Sequence, residues 1–264
     1  MQEFLRVAQD AAHQAGALLR DNWLKAKTIE VKTDIVDLVT NVDKASDALI
    51  TQILRTQFPT HQIIAEESAI SGPPSDYRWY IDPIDGTTNF AHSFPHFAVS
   101  IALTHKTQGI VGVVYDPIRD ELFRATRGDG ATLNGRPIHV SPTPTLEQSL
   151  VLTGFPYDRR KRSEYYLSFY HAFMLRTQGV RRCGSAALDL CYVASGRADA
   201  FWEWRLHPWD TAAGSLIVEE AGGRMSNFSG NAFDITGEQT LASNGTLHSE
   251  MVKVLQEVMA ARRE

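Results

Sequence analysis

Acidic side chains occur at four places in the sequence where a strand or a helix is expected to begin or end. They are Asp43 in DLVTNVD, Glu66 and Glu67 in AEES, Asp82 and Asp85 in DPIDGTT, and Asp210 in PWDTAAG. Hard divalent cations prefer oxygen ligands, and Mg²⁺ is usually held by a few carboxylates together with water and substrate phosphate. If the fold brings these segments together, they predict a magnesium site.

The segment WYIDPIDGTTNF contains two of these acids three residues apart, on either side of Pro83-Ile84. Strand residues three apart face opposite sides of a sheet. A bend at Pro83-Ile84 would turn Asp82 and Asp85 toward one site, and the carbonyl of Ile84 with them. The residue before a proline is pushed toward extended backbone geometry, which agrees with Asp82 at a strand end.

The next step, Gly86-Thr87-Thr88, suits the first turn of a helix, where free backbone N–H groups bind phosphate. Acidic side chains that can bind metal ions would then lie beside backbone amides that can bind phosphate. This combination predicts metal-assisted transfer of a phosphoryl group to water. Simpler interpretations stay open for each segment alone. Asp-Pro and Asp-Gly are ordinary turn pairs, Asp210 could be only a helix N-cap, and AEES could be a solvated strand end.

Other phosphatase and hydrolase signatures are absent or incomplete in the sequence. The aspartyl-phosphate route of haloacid-dehalogenase phosphatases needs an acid two residues before Asp85, where Pro83 stands. CYVASGR has the spacing of a cysteine phosphatase, but Cys191 lies in an apolar helical run and is expected to be a buried structural cysteine. The nine histidines show no His-x-His or HExxH pairing that would indicate zinc hydrolysis. DRRKR, residues 158–162, is expected to be a solvated loop, with an anion-binding or partner-binding role as the alternative.

The elements that must position these residues follow from periodicity and turn signals. Strands are predicted in HQIIAEES, DYRWYIDP, FAVSIALTH, GIVGVVYDP, DELFRATRG and SLVLTGFP, with a hairpin turn at Asn134-Gly135. Helices are predicted over residues 2–22, about 44–58, about 161–178, in GSAALDLCYVASG, and from near Asp210 to Gly222-Gly223. The pattern indicates α/β or α+β architecture with helices covering sheets.

Bulk composition bounds the remaining possibilities. The chain has 264 residues, 43% of them hydrophobic, which suffices for one large domain or two lobes. The segment SPTPT, residues 141–145, is a plausible seam between an N-terminal lobe, 1–140, and a C-terminal lobe, 141–264. A formal net charge of −5 gives no reason to expect nucleic acid as a partner. Two cysteines and an N-terminus without a long apolar run are typical of a cytoplasmic protein that does not enter membranes.

The motifs resemble those of the inositol monophosphatase family over nearly the whole chain. WYIDPIDGTTNF and HPWDTAAGSLIVEEAGG resemble its two signatures, AEES and DLVTNVD its upstream motifs, and GSAALDLCYVASGRADAFWEW its substrate-pocket segment. TGFP and GSAALDL look most like the bacterial branch. The resemblance implies a layered α-β-α-β-α sandwich, similar to fructose 1,6-bisphosphatase, and a homodimer.

The resemblance also implies site residues and a reaction. Metal ligands for two or three Mg²⁺ ions would be Glu67, Asp82, the Ile84 carbonyl, Asp85 and Asp210. Thr87 and Asp43 would orient and help to deprotonate the attacking water, with Glu67 beside them. The amides of Gly86, Thr87 and Thr88 would hold phosphate, and the substrate would contact Asp85, Gly184, Ser185, Ala186 and Glu203. The implied activity is hydrolysis of myo-inositol monophosphate by direct in-line attack of water. Inhibition by Li⁺ is implied as well.

Several alternatives within and beyond the family stay open. Trp204 and Arg205 are expected near the pocket rim, where an extra cation could admit a second phosphate, as in fructose 1,6-bisphosphate. A histidinol-phosphate phosphatase is another possibility. A non-catalytic role in a transcription or RNA-processing complex is a third, although the matched ligands are all present. The polar residues 23–36 could form a mobile lid.

Overall fold

The structure, a computed structural model, describes residues 1–32, 35 and 37–262. Its helices are α1 (Gln2–Asn22), α2 (Asn41–Gln57), α3 (Thr87–Ala91), α4 (Ser163–Met174), α5 (Ala186–Ala194), α6 (Pro208–Glu220) and α7 (His248–Ala261). Short 3₁₀ turns occupy Leu146–Gln148 and Tyr157–Arg160. Part of the predicted lid, at residues 33, 34 and 36, lies outside the described residues.

Fourteen strands form three sheets within the described residues. They are β1 (Ile29–Val31), β2 (Leu38–Thr40), β3 (Gln62–Ala65), β4 (Tyr77–Asp85), β5 (Ala98–His105), β6 (Gln108–Asp116), β7 (Glu121–Thr126), β8 (Gly130–Leu133), β9 (Arg136–Pro137), β10 (Leu150–Thr153), β11 (Gly179–Arg181), β12 (Ala200–Trp204), β13 (Arg224–Ser226) and β14 (Gln239–Ser243). Strands β3 to β9 form a seven-stranded sheet in sequence order. A five-stranded sheet has the order β11-β10-β12-β14-β13, and β1 pairs with β2 alone.

The two larger sheets alternate with three pairs of helices. Helices α1 and α2 pack on one face of the seven-stranded sheet through a cluster that includes Leu19, Ile50 and Trp79. Helices α5 and α6 lie between the sheets, and α4 and α7 cover the outer face of the five-stranded sheet. Each apolar face is thereby buried against another element. The predicted α-β-α-β-α layering is confirmed.

A close backbone contact between β6 and α6 fixes the layer of helices α5 and α6 on the seven-stranded sheet. A Cβ atom at Gly112 of β6 would lie 2.7 Å from the backbone oxygen of Ala213 in α6. A side chain at this position would therefore push α6 away from the sheet. Since α6 carries Asp210, the glycine helps to set the depth of that acid.

Three helix boundaries differ from the sequence predictions for identifiable reasons. Helix α2 begins at Asn41 rather than near Lys44, because Thr40 caps it and accepts a hydrogen bond from the Val42 N–H at 3.1 Å. Helix α6 begins at Pro208, so Asp210 is the third residue of the first turn rather than the N-cap. Helix α4 ends at Met174 instead of continuing to residue 178; side chains of Arg176 and Thr177 bond its last carbonyls.

Candidate active site

The end of β4 brings two acids to one side of the sheet. Asp82 pairs with Ser100 of β5, whereas Asp85 pairs with Ala98, so two residues of β4 oppose one residue of β5. Such a bulge adds one residue and reverses the alternation of side chains beyond it. Asp82 and Asp85 accordingly both line the same cavity, as the predicted bend at Pro83-Ile84 required.

This cavity has a volume of about 440 Å³, a size typical of a small-molecule site. Its wall contains most of the predicted site residues, namely Asp82, Ile84, Asp85, Gly86, Thr87, Thr88, Gly184, Ser185, Ala186, Glu203 and Asp210. They come from both large sheets and from the first turns of α3, α5 and α6. Within the described residues, the wall does not include the other two predicted residues, Asp43 and Glu67.

Asp43 lies directly behind the wall and connects to it through Thr87. The hydroxyl Oγ1 of Thr87 is 3.0 Å from Asp43 Oδ1 and 3.0 Å from the carbonyl oxygen of Ile84. The other oxygen of Asp43 accepts the Thr40 N–H at 2.8 Å, which fixes the carboxylate on α2. Asp43 is fully buried, and burial raises its pKa despite these hydrogen bonds.

Of the two adjacent acids after β3, Glu66 is the one that enters the cavity wall. Its charge is among the causes that raise the pKa values of Asp82, Asp85 and Asp210. Glu67 is instead held outside the wall, where its backbone N–H bonds Asp47 of α2 at 3.2 Å. The structure therefore favours Glu66 over the predicted Glu67 as a partner of the other acids.

Lys32, which the sequence did not single out, lies between these two glutamates. Its Nζ is 2.8 Å from Glu66 Oε1 and also donates to Glu67. Burial alone would lower the pKa of Lys32, but the two carboxylates raise it, so the ammonium stays charged. The cavity wall thus holds one cation beside its acidic side.

Asp85 is fixed by the N-terminus of α5. Its carboxylate accepts the Ser185 hydroxyl and the backbone N–H of Ala187 at 2.7 Å, with the N–H of Ala186 more distant at 3.3 Å. Ser185 is also the N-cap of α5. One carboxylate therefore joins the end of β4 to the second half of the chain.

Asp210 is oriented by its own helix. As the third residue of α6, it accepts the backbone N–H of His207 at 2.7 Å. This bond closes a capping box in which His207 is the N-cap, so the interpretation of Asp210 as the N-cap residue itself is wrong. Asp210 also lines the cavity, so the same carboxylate stabilises the first turn of α6 and faces the site.

The acids on this side of the cavity favour protonation in the absence of a cation. Burial and the neighbouring carboxylates raise the pKa values of Asp82 and Asp210 well above the usual range. Burial raises the pKa of Asp85 to about 6, although its hydrogen bonds act to lower that pKa. When several acids lie this close together away from water, they can be ionised at the same time only if a cation compensates their charge. Several carboxylates together with the Ile84 carbonyl, which also accepts the Thr87 hydroxyl, form a donor set that fits Mg²⁺.

The cavity wall also includes Glu203 of β12. Its carboxylate packs against Gly154, where a Cβ atom would lie 2.0 Å from Glu203 Oε2. Burial raises the pKa of Glu203 to about 8, although the positive charge of Arg182 opposes the shift. When ionised, a buried acid of this kind can accept hydrogen bonds from the hydroxyl groups of a ligand. When protonated, it can also donate one.

Three arginines line the wall near Glu203, and sequence reasoning named only Arg205 among them. Arg159 belongs to DRRKR, which was expected to be a solvated loop, and Arg182 precedes α5. Arg205 donates to Asp158 Oδ2 at 2.8 Å, so its charge is already paired. Their positions depend on how three segments that are distant in sequence fold together, which no local pattern encodes.

The whole chain can be compared with known proteins. Residues 1–260 match the model of the family described as the inositol monophosphatase family. A protein of Synechocystis sp. named inositol-1-monophosphatase is 47% identical over 257 residues, which cover 97% of this chain and 89% of that protein. The Nus factor SuhB of Pseudomonas aeruginosa is 44% identical over 262 residues, 97% of each chain.

A solved structure agrees with these sequence matches. The inositol monophosphatase of Anabaena (Nostoc) superimposes with a TM-score of 0.88 at 44% identity, covering 97% of this chain and 96% of that one. Among the helices of the described residues, none is both long enough and apolar enough to span a bilayer.

Proposed function

Because this chain belongs to the inositol monophosphatase family and is therefore a phosphatase, we propose that it is a Mg²⁺-dependent enzyme that hydrolyses myo-inositol monophosphate to myo-inositol and phosphate. The observation that supports this proposal is the cavity itself. Its wall combines a cluster of acids, of which Asp82 and Asp85 are buried, with the buried Glu203 and three arginines. The acid cluster suits a metal-bound phosphate, and Glu203 suits hydroxyl groups.

The residues that would hold Mg²⁺ are Glu66, Asp82, Asp85 and Asp210, with the carbonyl of Ile84. Glu66 replaces Glu67 in this proposal because only Glu66 belongs to the cavity wall. When bound, two or three such ions would neutralise phosphate charge, lower the pKa of attacking water and stabilise the leaving alkoxide. The remaining contributions come from the protein.

In this proposal, Thr87 and Asp43 would take a proton from the attacking water. The Thr87 hydroxyl donates toward Asp43 Oδ1 over 3.0 Å, which leaves its lone pairs for a hydrogen bond from water in the cavity. The proton of the water can then pass through Thr87 to Asp43, whose raised pKa makes it a better acceptor. Direct in-line attack on phosphorus needs no acid at position 83, where Pro83 stands.

The other wall residues would bind the substrate. Backbone N–H groups at Gly86, Thr87 and Thr88 would donate to phosphate oxygens and act as fixed dipoles. Asp85, Ala186 and Glu203 would contact the hydroxyl groups of the ring, while Gly184 and Ser185 shape that part of the wall. Arg182, whose charge acts on Glu203, supports binding of an anionic substrate at this end.

The decisive experiment is phosphate release with Mg²⁺ from four substrates: inositol 1-phosphate, fructose 1,6-bisphosphate, histidinol phosphate and 3′-phosphoadenosine 5′-phosphate. We expect preference for inositol 1-phosphate, inhibition by Li⁺, and loss of at least about 100-fold in kcat/KM in Asp85→Asn. Faster turnover of the bisphosphate or of histidinol phosphate would replace the proposed substrate. Arg205 gives less support to a second phosphate site, because it already pairs with Asp158.

A second candidate is a non-catalytic role, which the relatives named Nus factor SuhB favour. In that case the chain would bind RNA or a transcription complex, with or without phosphatase activity. Binding of RNA at physiological salt, retained by Asp85→Asn, would support it. Weak binding that disappears steeply with added salt would be nonspecific.

A further inference from the structure

Three side chains of different chemistry meet behind the cavity wall and are not among the residues that line it. They are His96, between α3 and β5; Cys183, just before α5; and Asp189, in the first turn of α5. One ligand atom from each lies within 4.8 Å of the other two. Ligands bound at about 2.0–2.3 Å around a tetrahedral ion are about 3.3–3.8 Å apart, so small side-chain adjustments bring these three into that geometry.

Two of these side chains have buried polar atoms without a partner. Nε2 of His96 and Oδ1 of Asp189 find no hydrogen-bond partner among the described residues, although the Asp189 carboxyl group as a whole lies within hydrogen-bond reach of the Cys183 thiol. His96 is 4% exposed and Asp189 is 1% exposed, so bulk solvent does not satisfy them. Buried polar atoms are hydrogen-bonded in the great majority of cases, and two orphans in one cluster indicate a missing ligand.

We propose that His96, Cys183 and Asp189 form a structural binding site for a transition-metal ion of the Zn²⁺ class, distinct from the Mg²⁺ site. A nitrogen, a sulfur and an oxygen ligand together are typical of zinc, whereas the oxygen-only set of the cavity is typical of magnesium. Cys183 is only half-buried, which leaves room for a water molecule as the fourth ligand.

Charge balance supports the assignment. On binding, the thiol of Cys183 and the carboxyl group of Asp189 each release a proton to solvent, while His96 binds as neutral imidazole. The resulting thiolate and carboxylate neutralise a divalent ion, which suits a buried location. Burial favours the uncharged form of all three groups: it lowers the pKa of His96 to about 4, raises that of Cys183 to about 11 and raises that of Asp189 well above its usual range.

The position of the site suggests what the ion would do. Asn89 of α3 already joins the two loops, because its Nδ2 donates to His96 O at 2.7 Å and to Cys183 O at 3.0 Å. Both loops pack on Gly86, where a Cβ atom would lie 3.1 Å from His96 O and 3.2 Å from Gly184 O. An ion that links His96 to Cys183 and Asp189 would therefore fix the back of the phosphate-binding wall.

Metal binding to the full chain tests this inference. Protein stripped with chelator is titrated with Zn²⁺ in the presence of excess Mg²⁺, which occupies the acid cluster. We expect about one tightly held zinc ion, a higher melting temperature, and, with Co²⁺ as the probe, a thiolate-to-cobalt charge-transfer band. That band requires a cysteine ligand and can be read on the unmodified protein.

Variants separate this site from others. Cys183→Ser and Asp189→Asn should lower zinc affinity at least about tenfold and remove the thermal stabilisation, whereas Cys191→Ser, a change at the other cysteine, should not. His96→Gln should behave like the first two. Failure of the unmodified protein to retain zinc, a cobalt spectrum without the thiolate band, or zinc binding unchanged in folded Cys183→Ser would overturn the proposal.

Discussion

Thr87 connects the buried acid of α2 to the cavity, because its hydroxyl lies 3.0 Å from Asp43 Oδ1. We predict that Thr87→Ala lowers kcat by about 100-fold or more, with a smaller change in KM, because a proton-transfer step loses its intermediate group. Thr87→Ser keeps the hydroxyl and should retain most of the activity. Steady-state kinetics on inositol 1-phosphate measures both. Equal kcat values for Thr87→Ala and the unmodified enzyme would contradict the relay.

Glu203 should make the stability of the metal-free protein depend on pH. Burial raises its pKa from 4.5 to about 8, so the folded state binds more protons than the unfolded state between these values. The free energy of unfolding then falls as pH rises from about 4.5 to about 8. Glu203→Gln removes this contribution, and we predict a shallower decline.

Denaturant unfolding at several pH values, with chelator present, measures that slope. The other buried acids act in the same direction, so the variant should reduce the slope without abolishing it. An unchanged slope would mean that Glu203 is already ionised in the folded protein.

At the scale of elements, the contact between β6 and α6 sets the position of Asp210. We predict that Gly112→Ala destabilises the protein by about 1–3 kcal/mol, because its Cβ would lie 2.7 Å from Ala213 O in a packed layer. Gly109→Ala, in the same strand, is the matched control, since its nearest contact is 3.8 Å. Urea denaturation of both variants gives the comparison. Similar midpoints would show that α6 shifts without cost.

Much of the element order was predictable from sequence, for physical reasons that are visible in single residues. A proline between two strand acids indicated the irregularity that turns Asp82 and Asp85 to one side. The choice between Glu66 and Glu67 was not predictable, because adjacent residues at a strand end face different ways and the sequence does not set the phase. Lys32 and Arg159 were missed because a charged loop residue has the same local pattern whether it faces solvent or a cavity.

At the scale of the whole molecule, the family resemblance seen in the motifs is confirmed over residues 1–260. The division into lobes 1–140 and 141–264, a homodimer and a cytoplasmic location stay predictions. The segment 141–145 does connect the seven-stranded sheet to the five-stranded one. The core between the sheets, however, draws on both halves, with Phe123 and Leu190 in one cluster.

We therefore predict a single cooperative unfolding transition for the full chain. Helices α5 and α6 bury their apolar faces against β5 and β6 of the other half, so neither half keeps its core alone. Calorimetry should give one peak whose calorimetric and van't Hoff enthalpies agree. Two resolved peaks would instead support independent lobes.

The placement of Lys32 against Glu66 has a consequence for how tightly the acid cluster holds an external ion. The ammonium group is a tethered competitor, present at an effective concentration on the order of millimolar or higher. An incoming cation that uses Glu66 must win an exchange reaction and release Lys32, so the apparent dissociation constant exceeds the intrinsic one. The strand pair β1 and β2, which carries Lys32 at its end, is thereby coupled to ion occupancy.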